Sequence, residues 1–421
     1  MLKPLDMTKK SYLPAIVIMF ALFFMIAFIT GLHNPLGIIV KFQFGFSNAV
    51  SQLGNLINFL AYACMGLPAG YILRKHGYKV SALVAVAVGI TGVGIFWLSG
   101  LLANFWVYLL GAFISGFAAC MLNAVVNPML NSIGQGGKKG NQLIQYGNSL
   151  NSLAATFVPF FIGWLTGQHA SHSISDANPA FFIALGVFVL AFIVIIFTHI
   201  PEPELDEEML SVPHKDGVYS CFSFRHFVLG AIAIFVYMGV EIGIANTTNL
   251  YLTHEIGLMP GKAGVIVSLF WFFMFIGRLV GGYFGSRFAS HDMLSFATFG
   301  TMILVIMAIF TPSDLLVSFG ERIFTDIPIN AVFLIMTGFF TSVMWGNIFN
   351  LAVEGLGKYT SSATGFFMFM VCGGGIMPAI QGAIADLIGY IPSFWFVILC
   401  LTYLLFYASS GYRNVNRKIP V

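Results

Sequence analysis

Three ionisable side chains stand inside long apolar stretches of this sequence, where a charge is costly. Glu241 lies in FVYMGVEIGIANTTNLYL, Arg278 in FWFFMFIGRLVGGYF and His33 in FITGLHNPLG. Ionisable groups at such positions usually mark a path for ions, protons or polar solutes. Glu241 could bind a substrate or carry a proton, and His33 is a second candidate proton carrier. Alternatively, Arg278 pairs with Glu241 or with helix carbonyls, and His33 packs between helices.

Uncharged amides form a second group, spaced so that each set shares one helix face. Asn123 and Asn127 are four residues apart, and Asn148 and Asn151 are three apart. An amide offers both donors and acceptors, which suits a ligand rich in hydroxyl groups. Any one amide could instead join two helices, at about 0.6 kcal/mol per bond in a membrane, but their number favours a polar cavity. The predicted substrate-binding polar set is Asn34, Asn55, Asn123, Asn127, Asn148, Asn151, Glu241, Asn246 and Asn347.

Two tryptophans join that set because they stand in the middle of apolar runs, away from the interfaces that Trp favours. The rings of Trp271 and Trp345 could stack on the apolar face of a sugar, or pack against lipid or a neighbouring helix. No phosphate-binding loop, His-rich metal site or Ser/His/Asp grouping is present, so an enzyme is not expected. The five cysteines lack zinc or redox spacing, and we expect neither a cofactor nor a metal.

The composition determines which elements hold these side chains. Hydrophobic residues make up 58% and charged residues 8% of the 421 residues, which excludes a soluble globular protein. The net charge of +3 is too small for a nucleic-acid-binding protein. Runs of about 20 apolar residues span a bilayer as helices. We predict twelve, at residues 13–36, 48–73, 80–100, 104–131, 142–166, 178–199, 227–252, 263–285, 291–311, 328–352, 361–385 and 391–410.

The distribution of cations predicts the orientation of these helices. Of the 19 Lys and Arg residues, 15 lie in the even-numbered connections and the termini, and such loops face the cytoplasm. Both termini are therefore expected in the cytoplasm, with the chain in the inner cell membrane. The polar stretch 201–226 is interpreted as a cytoplasmic linker between an N-terminal bundle (1–200) and a C-terminal bundle (227–421).

A short internal sequence repeat supports a duplication. Gly70-Tyr71 lies at the end of the second apolar run and Gly282-Tyr283 at the end of the eighth, and 282 − 70 gives a separation of 212 residues, close to half of the chain. With the symmetric helix count, this favours a parallel repeat. The predicted fold class is an all-α membrane protein with twelve transmembrane helices in two six-helix bundles.

These features resemble the major facilitator superfamily and, within it, the fucose–galactose–glucose:proton symporter family. The residues that carry the resemblance are Gly31-Leu32, Leu67-Pro68-Ala69-Gly70, Asn127-Pro128, Tyr237-Met238-Gly239-Val240-Glu241, Phe275-Ile276-Gly277-Arg278, Ile348-Phe349, Gly355-Leu356-Gly357-Lys358-Tyr359-Thr360 and Gly373-Gly374-Gly375. The resemblance implies a two-bundle major facilitator fold and inward sugar transport by alternating access.

The same resemblance exposes departures. His33-Asn34 stands where the family usually has Asn-Asp, and Asn123 stands where its fucose symporters carry Glu. Gly346-Asn347 replaces a typical Pro-Thr. In the family, the two carboxylates are tied to proton coupling and sugar recognition. An Asn cannot carry a proton, so coupling would depend on Glu241, with His33 as a helper.

The leading hypothesis is a secondary active monosaccharide importer, monomeric in the lipid bilayer, with a proton or sodium as a candidate co-transported ion. An uncoupled sugar facilitator and an exporter of another small polar or apolar solute are the alternatives. An exporter of apolar compounds would need an aromatic cavity with few amides, and a nutrient receptor would need a soluble signalling segment longer than the 26-residue linker.

Overall fold

A computed structural model gives the structure of most of the chain. It describes residues 12–46, 50, 53–166, 173–198, 200, 202, 219–258, 260–319, 324–416 and 419. Asn34 falls on a described helix, but its side chain lies outside the described part, so its predicted role is not addressed by the structure.

Helices account for nearly all of the described chain, as the long apolar runs predict. They are α1 (Leu13–Phe44), α2 (53–76), α3 (78–102), α4 (Phe105–Ile133), α5 (Gly137–Thr166), α6 (Asn178–Phe197), α7 (Arg225–Leu250), α8 (Pro260–Gly285), α9 (Ser290–Phe310), α10 (Ile329–Thr341), α11 (Met344–Val353), α12 (Thr360–Met370), α13 (Gly373–Ile388) and α14 (Tyr390–Phe406). The boundary between α2 and α3 is Gly77, whose φ of 76° is open to glycine and unfavourable for other residues.

Ten described segments are long and apolar enough to cross a bilayer. One of them, Leu53–Leu102, holds the two crossings α2 and α3, and α5 adds a further crossing with 30 residues, about 45 Å of helix. In this count α10 with α11 forms one crossing, and α12 with α13 forms another. The total agrees with the twelve predicted crossings.

The structure departs from the predicted runs in two ways. The crossings formed by α10–α11 and by α12–α13 are each interrupted, at residues 342–343 and 371–372. An antiparallel hairpin joins α9 to α10, with strand β1 (Leu316–Phe319) paired to β2 (Phe324–Pro328). The predicted all-α class stands, because this short hairpin is the only pair of strands in the described part of the chain.

Each half of the chain packs around its own core. In the first half, α4 lies against α1, α2 and α3, while α6 lies against α3; in the second half, α7 lies against α11, α13 and α14, while α10 lies against α8 and α9. Two contacts dominate between the halves, α5 with α8 and α2 with α12. The residues that could form a site lie between these two contacts.

The alternation of crossings places the ends of α4, α6, α8 and α11 and the starts of α5, α7 and α9 on one side. We call this the linker side, because the 201–226 linker joins α6 to α7 there. The other side is called the opposite side.

Candidate functional site: a polar network between the halves

A chain of hydrogen bonds crosses from the first half to the second at the centre of the molecule. Asn123 Nδ2 donates to the Tyr62 hydroxyl (3.0 Å), and Asn127 Nδ2 donates to the Asn123 carbonyl (2.9 Å). The Asn127 Oδ1 accepts a bond from Trp345 Nε1 (3.3 Å). All four side chains are at most 9% exposed. The four-residue spacing on α4 thus aligns two amides with α2 on one side and α11 on the other.

The position of Trp345 follows from the interruption between α10 and α11, which lies two residues before it. Its ring meets the edges of Tyr237 and Phe367, with ring centroids 6.4 and 5.8 Å away. The indole is therefore held by aromatic neighbours of the second half, while its N–H reaches an amide of the first half. Of the two predicted tryptophans, Trp345 is the one that the structure brings to the network.

Glu241 lies one helical turn from Tyr237 on α7 and is 7% exposed. The Tyr237 hydroxyl donates to the Thr341 carbonyl (3.2 Å) and also lies within reach of both Glu241 and Arg278. Among the described residues, Glu241 is the only buried acidic side chain. Tyr237 consequently stands between the buried acid and the buried base.

Arg278 on α8 joins the two halves. Its Nη1 donates to the Asn148 carbonyl (2.8 Å) and to Ser152 Oγ, both on α5. Its Nε donates to the carbonyl of Ser342 (3.2 Å), which lies at the interruption before α11. Within the described residues, Arg278 forms no ion pair with Glu241. Of the fixed roles considered for Arg278, the carbonyl contact is therefore the one that the structure contains.

Further polar contacts join the halves on the linker side. Asn141 Nδ2 donates to Asn347 Oδ1 (2.8 Å), and Gln145 Nε2 donates to the Val343 carbonyl (2.9 Å). Asn350 Nδ2 donates to the Gly137 carbonyl (3.1 Å). We call the side chains of Asn141, Gln145, Asn347 and Asn350 the polar latch. Because the described hydrogen bonds between the halves run from the central network to the linker side, the molecule is closed on that side.

A second contact on the same side is made by three glycines. A Cβ at Gly66 would lie 2.4 Å from the Phe369 backbone nitrogen, and one at Gly70 would lie 2.8 Å from the Gly365 Cα. We call Gly66, Gly70 and Gly365 the glycine seam. Here α2 and α12 approach so closely that only glycine fits without displacement of a backbone.

Several other predicted residues lie apart from the network. Asn151 Nδ2 donates to the Phe23 carbonyl (3.3 Å) within the first half, and Asn148 Nδ2 donates to the Ile144 carbonyl of its own helix (3.0 Å). Asn55 on α2 is partly exposed. The Asn151 side chain thus makes the helix-joining contact that was the alternative to ligand binding, whereas the Asn148 side chain bonds within α5.

Two predicted residues of the second half also lie outside the network. Asn246 is exposed and stands five residues after Glu241, roughly 140° around α7. Trp271 is partly buried, and its ring meets the edge of Phe270, with centroids 5.3 Å apart. Neither side chain has a described hydrogen bond to the central amides.

His33 is buried in the first half, 2% exposed, and its ring packs edge-on against the Phe96 ring, with the two ring centroids 5.7 Å apart. Asn58 on α2 is its polar neighbour. Neither ring nitrogen has a hydrogen-bond partner in the part of the chain that the structure describes. This candidate proton carrier is thus separate from Glu241, which lies in the other half.

Tyr62, Tyr237 and Asn141 belong to these contacts but were not among the predicted site residues. The signal for the two tyrosines was available, because each stands in the middle of an apolar run, as Trp345 does. Asn141 lies four residues before Gln145 and continues the amide face of α5. Together with the α4 amides, Trp345 and Glu241, these residues surround the centre of the molecule with hydrogen-bond donors, acceptors, flat rings and one acid.

Comparisons with known proteins cover almost the whole chain. The family model described as Major Facilitator Superfamily matches residues 19–379. A glucose/galactose transporter of Brucella abortus biovar 1 (strain 9-941) is 30% identical over 416 residues, which is 97% of this chain and 96% of that protein. The L-fucose-proton symporter of Escherichia coli (strain K12) is 23% identical over 432 residues, covering 95% and 93% of the two chains.

Solved structures show the same fold. The transporter FucP in the outward conformation superposes with a TM-score of 0.78 at 21% identity, over 95% of this chain and 99% of that one. The proton:xylose symporter XylE gives a TM-score of 0.71 at 11% identity, over 93% and 94%.

Proposed function

The chain belongs to the major facilitator superfamily, a family of transporters, and from that premise we propose that it is a secondary active importer of a monosaccharide. The substrate site lies between the two halves, and access to it alternates between the two sides of the membrane. In this proposal residues 1–200 and 227–421 form the two moving bundles and residues 201–226 link them.

One observation carries the proposal: the buried network Tyr62–Asn123–Asn127–Trp345 joins the halves through uncharged donors and acceptors and one indole ring. Sugar hydroxyls can replace each of these amide and hydroxyl partners. The ring of Trp345 offers a flat apolar surface to the C–H face of a pyranose. The 30% identical glucose/galactose transporter supports a hexose as the substrate class.

The conformation suits alternating access. The polar latch closes the linker side, and each of its bonds is worth about 0.6 kcal/mol in a membrane. A substrate that binds the closed and open conformations with different affinity can shift the equilibrium between them. We therefore interpret this structure as the state whose site is reached from the opposite side.

Proton coupling is assigned to Glu241. It is the one buried acid of the described chain, and the related L-fucose-proton symporter supports a proton as the driving ion. His33, which is buried in the first half, stays a second candidate. Transport driven by sodium or without an ion is the competing arrangement.

The concentration of cations at the ends on the linker side supports a cytoplasmic position for the linker and both termini. A proton and a sugar entering together from the opposite side would then be released into the cytoplasm. We propose the inner cell membrane as the location and a monomer as the working unit.

The test is counterflow in proteoliposomes. Vesicles containing purified protein and unlabelled D-glucose or D-galactose are diluted into labelled sugar, and we expect transient accumulation of label. L-fucose, D-xylose and an N-acetylated hexosamine complete the panel. A parent protein that exchanges none of these sugars, while remaining monodisperse, would overturn the proposal.

A second experiment separates coupling from binding. Glu241→Gln keeps a polar side chain of similar shape but cannot release a proton. We expect this variant to retain counterflow and to lose accumulation driven by an inward proton gradient. Gradient-driven accumulation at the parent level would remove Glu241 from coupling, and a sodium gradient applied to the parent tests the competing ion.

A further inference from the structure

Cations from the two halves meet on the linker side, where the start of α5 lies against the end of α8. The Lys138 ammonium donates to the backbone carbonyl of Arg287, just after α8 (2.7 Å), and Lys139 is exposed beside it. We call Lys138, Lys139 and Arg287 the cation cluster. Like charges at neighbouring positions repel each other, so closure of the linker side costs free energy unless an anion joins the cluster.

Acidic side chains of the described chain do not supply that anion. Within the described residues, none of them makes an ion pair with the cation cluster. Asp292, which follows Arg287 by five residues, contacts His291 instead, with its Oδ1 3.3 Å from the imidazole Nε2. The cluster therefore offers exposed N–H donors and positive charge to a partner from outside the described chain.

A tyrosine holds the Arg287 side chain at the end of α8. The guanidinium lies over the Tyr283 ring, 4.5 Å from its centroid, and Nη2 donates to the hydroxyl of the same tyrosine (2.7 Å). The first half has the same four-residue spacing at the end of α2, where the Lys75 ammonium lies 5.7 Å from the centroid of the Tyr71 ring. Tyrosine favours the interface between lipid and water, which places both pairs at headgroup level.

Exposed aromatic rings continue from Tyr283 along the surface. Phe284 is 38% and Phe288 51% exposed, and their ring centroids are 5.8 Å apart. A free phosphate ion would contact only the cations. A phospholipid has both complementary parts, a phosphate for the cluster and acyl chains for the rings. The combination of charge and exposed apolar surface therefore favours a lipid.

The orientation of the chain in the membrane does not by itself require this arrangement. Orientation depends on the number of cations in a loop, whatever those cations contact. Here, cations from both halves stand beside a close contact between the halves, since a Cβ at Gly282 would meet the Tyr146 ring of α5. A ligand of the cluster therefore contacts both halves at once.

We propose that an anionic phospholipid binds the cation cluster and stabilises the closed linker side. Its phosphate is bound by Lys138 of the first half and Arg287 of the second, and its acyl chains lie against Phe284 and Phe288. A headgroup that both halves bind must lose one of them when the linker side opens, so the lipid favours the closed conformation. The lipid site goes beyond the proposed sugar transport, and its effect on transport rests on the proposed alternating access.

The acids of the 201–226 linker are the competing partner of the cation cluster. Glu204, Asp206, Glu207 and Glu208 lie outside the described residues. A linker variant with these four residues changed to Gln or Asn keeps the cluster intact and removes the competing charges. The experiments below include this variant, so that each partner predicts a different result.

The first experiment measures binding without transport. Native mass spectrometry of the full-length protein in detergent compares phosphatidylglycerol with zwitterionic phosphatidylcholine. We expect the parent to prefer phosphatidylglycerol, and Arg287→Gln to weaken its binding by about fivefold, as expected for one cation near an anionic lipid. Arg413→Gln is the matched control, because it removes an exposed cation outside the cluster. Equal affinity for the two lipids, or equal losses in the two variants, would overturn the proposal.

The second experiment measures closure in liposomes of phosphatidylcholine with and without phosphatidylglycerol. Spin labels at His76→Cys and Ser409→Cys, exposed positions in the two halves, are placed in a full-length background whose five native cysteines are replaced by alanine. We expect phosphatidylglycerol to enrich the short distance in the parent and in the linker variant, but not in Arg287→Gln. If Arg287→Gln does not fold, Lys138→Gln replaces it in both experiments.

Two results of the second experiment would overturn the proposal: a distance in the parent that does not depend on the lipid, or loss of the lipid effect in the linker variant. Counterflow in the same liposomes separates this idea from the proposed function. Absence of sugar exchange with an intact lipid effect on the distance contradicts the proposed transport. Intact exchange without any lipid effect contradicts the lipid site.

Discussion

The two contacts between the halves close the same gap by different physical means. The glycine seam brings α2 and α12 together backbone to backbone. The polar latch and Arg278 bring α5 against α8 and α11 through directional hydrogen bonds. A contact of the first kind can slide without breaking bonds, whereas one of the second kind must exchange partners to open. We infer that α2 and α12 slide along the glycine seam during transport, and that the exchange of polar partners determines when the linker side opens.

The difference between the two contacts is also seen at two matching positions of the predicted internal repeat. Gly70 and Gly282 are the matching glycines of the repeated Gly-Tyr pair, and both lie at a contact between the halves. A Cβ at Gly70 would meet the Gly365 Cα, but one at Gly282 would meet the ring of Tyr146, at 2.4 Å. Under the predicted duplication, both matching glycines lie at a close approach, whereas the groups they meet across the gap differ.

The largest effect is expected from filling the glycine seam. Gly66→Ala places a methyl group against the Phe369 backbone, and overpacking of this kind costs about 1–3 kcal/mol. Since about 1.4 kcal/mol is a tenfold change, we expect counterflow to fall by about tenfold or more. Gly94→Ala, on α3 where an added Cβ meets nothing within 4 Å, is the control. Normal counterflow in Gly66→Ala would show that the seam is not a close contact during transport.

A smaller effect is expected where the indole meets the first half. Trp345→Phe keeps an aromatic ring but removes the N–H that Asn127 accepts, at a cost of about 1 kcal/mol. We expect KM for the transported sugar to rise several-fold with little change in maximal rate. Trp395→Phe, at a half-exposed position on α14, should leave both parameters unchanged. Equal behaviour of the two variants would place the sugar away from the network.

The polar latch should show coupling across the halves. Asn141→Ala, Asn347→Ala and their combination form a double-mutant cycle on the 2.8 Å bond. Each change favours opening of the linker side, and we expect a coupling of about 0.6 kcal/mol, as for other bonds in membranes. The opening is measured as the distance between spin labels at Lys138→Cys and Arg287→Cys, two exposed positions that are in contact on the linker side. Strict additivity would mean that this bond is absent in the bilayer.

The smallest effect on transport is expected from a contact between the start of the linker and the first half. The Glu202 carboxylate accepts hydrogen bonds from the backbone nitrogens of Tyr78 and Lys79, both at 2.8 Å, and so caps α3. Glu202→Ala should lower the melting temperature by a few degrees, as the loss of a helix cap does, and leave the label distance unchanged. Asp314→Ala, in an exposed loop, is the control. A shift in the equilibrium between the open and closed states would show that contacts outside α5, α8 and α11 also control opening of the linker side.

The sequence predicted the twelve crossings, the family and the shared helix face of the α4 amides because each depends on local composition or spacing. Asn123 and Asn127 share a face by helical periodicity alone, and the structure places both in the network. What could not be predicted is which residues meet across the gap. That Trp345 reaches Asn127, while Trp271 lies against Phe270, depends on how the halves are placed.

The partners of Arg278 illustrate the same limit. Sequence alone suggested either an ion pair with Glu241 or a contact with carbonyls, and only the arrangement of α5 against α8 decides between them. The interruption at residues 342–343 was equally hidden, because a run of apolar residues has the same composition whether or not its helix is continuous.

Equilibrium binding of labelled D-galactose and D-glucose to the purified, detergent-solubilised protein tests the central claim most directly. The account predicts saturable binding of at least one hexose by the parent, weakened by about tenfold or more in Asn127→Ala, since that change leaves polar partners in both halves unpaired. Unchanged affinity in a correctly folded Asn127→Ala variant, or no saturable binding of a hexose by the parent, would contradict a sugar site at the network between the halves.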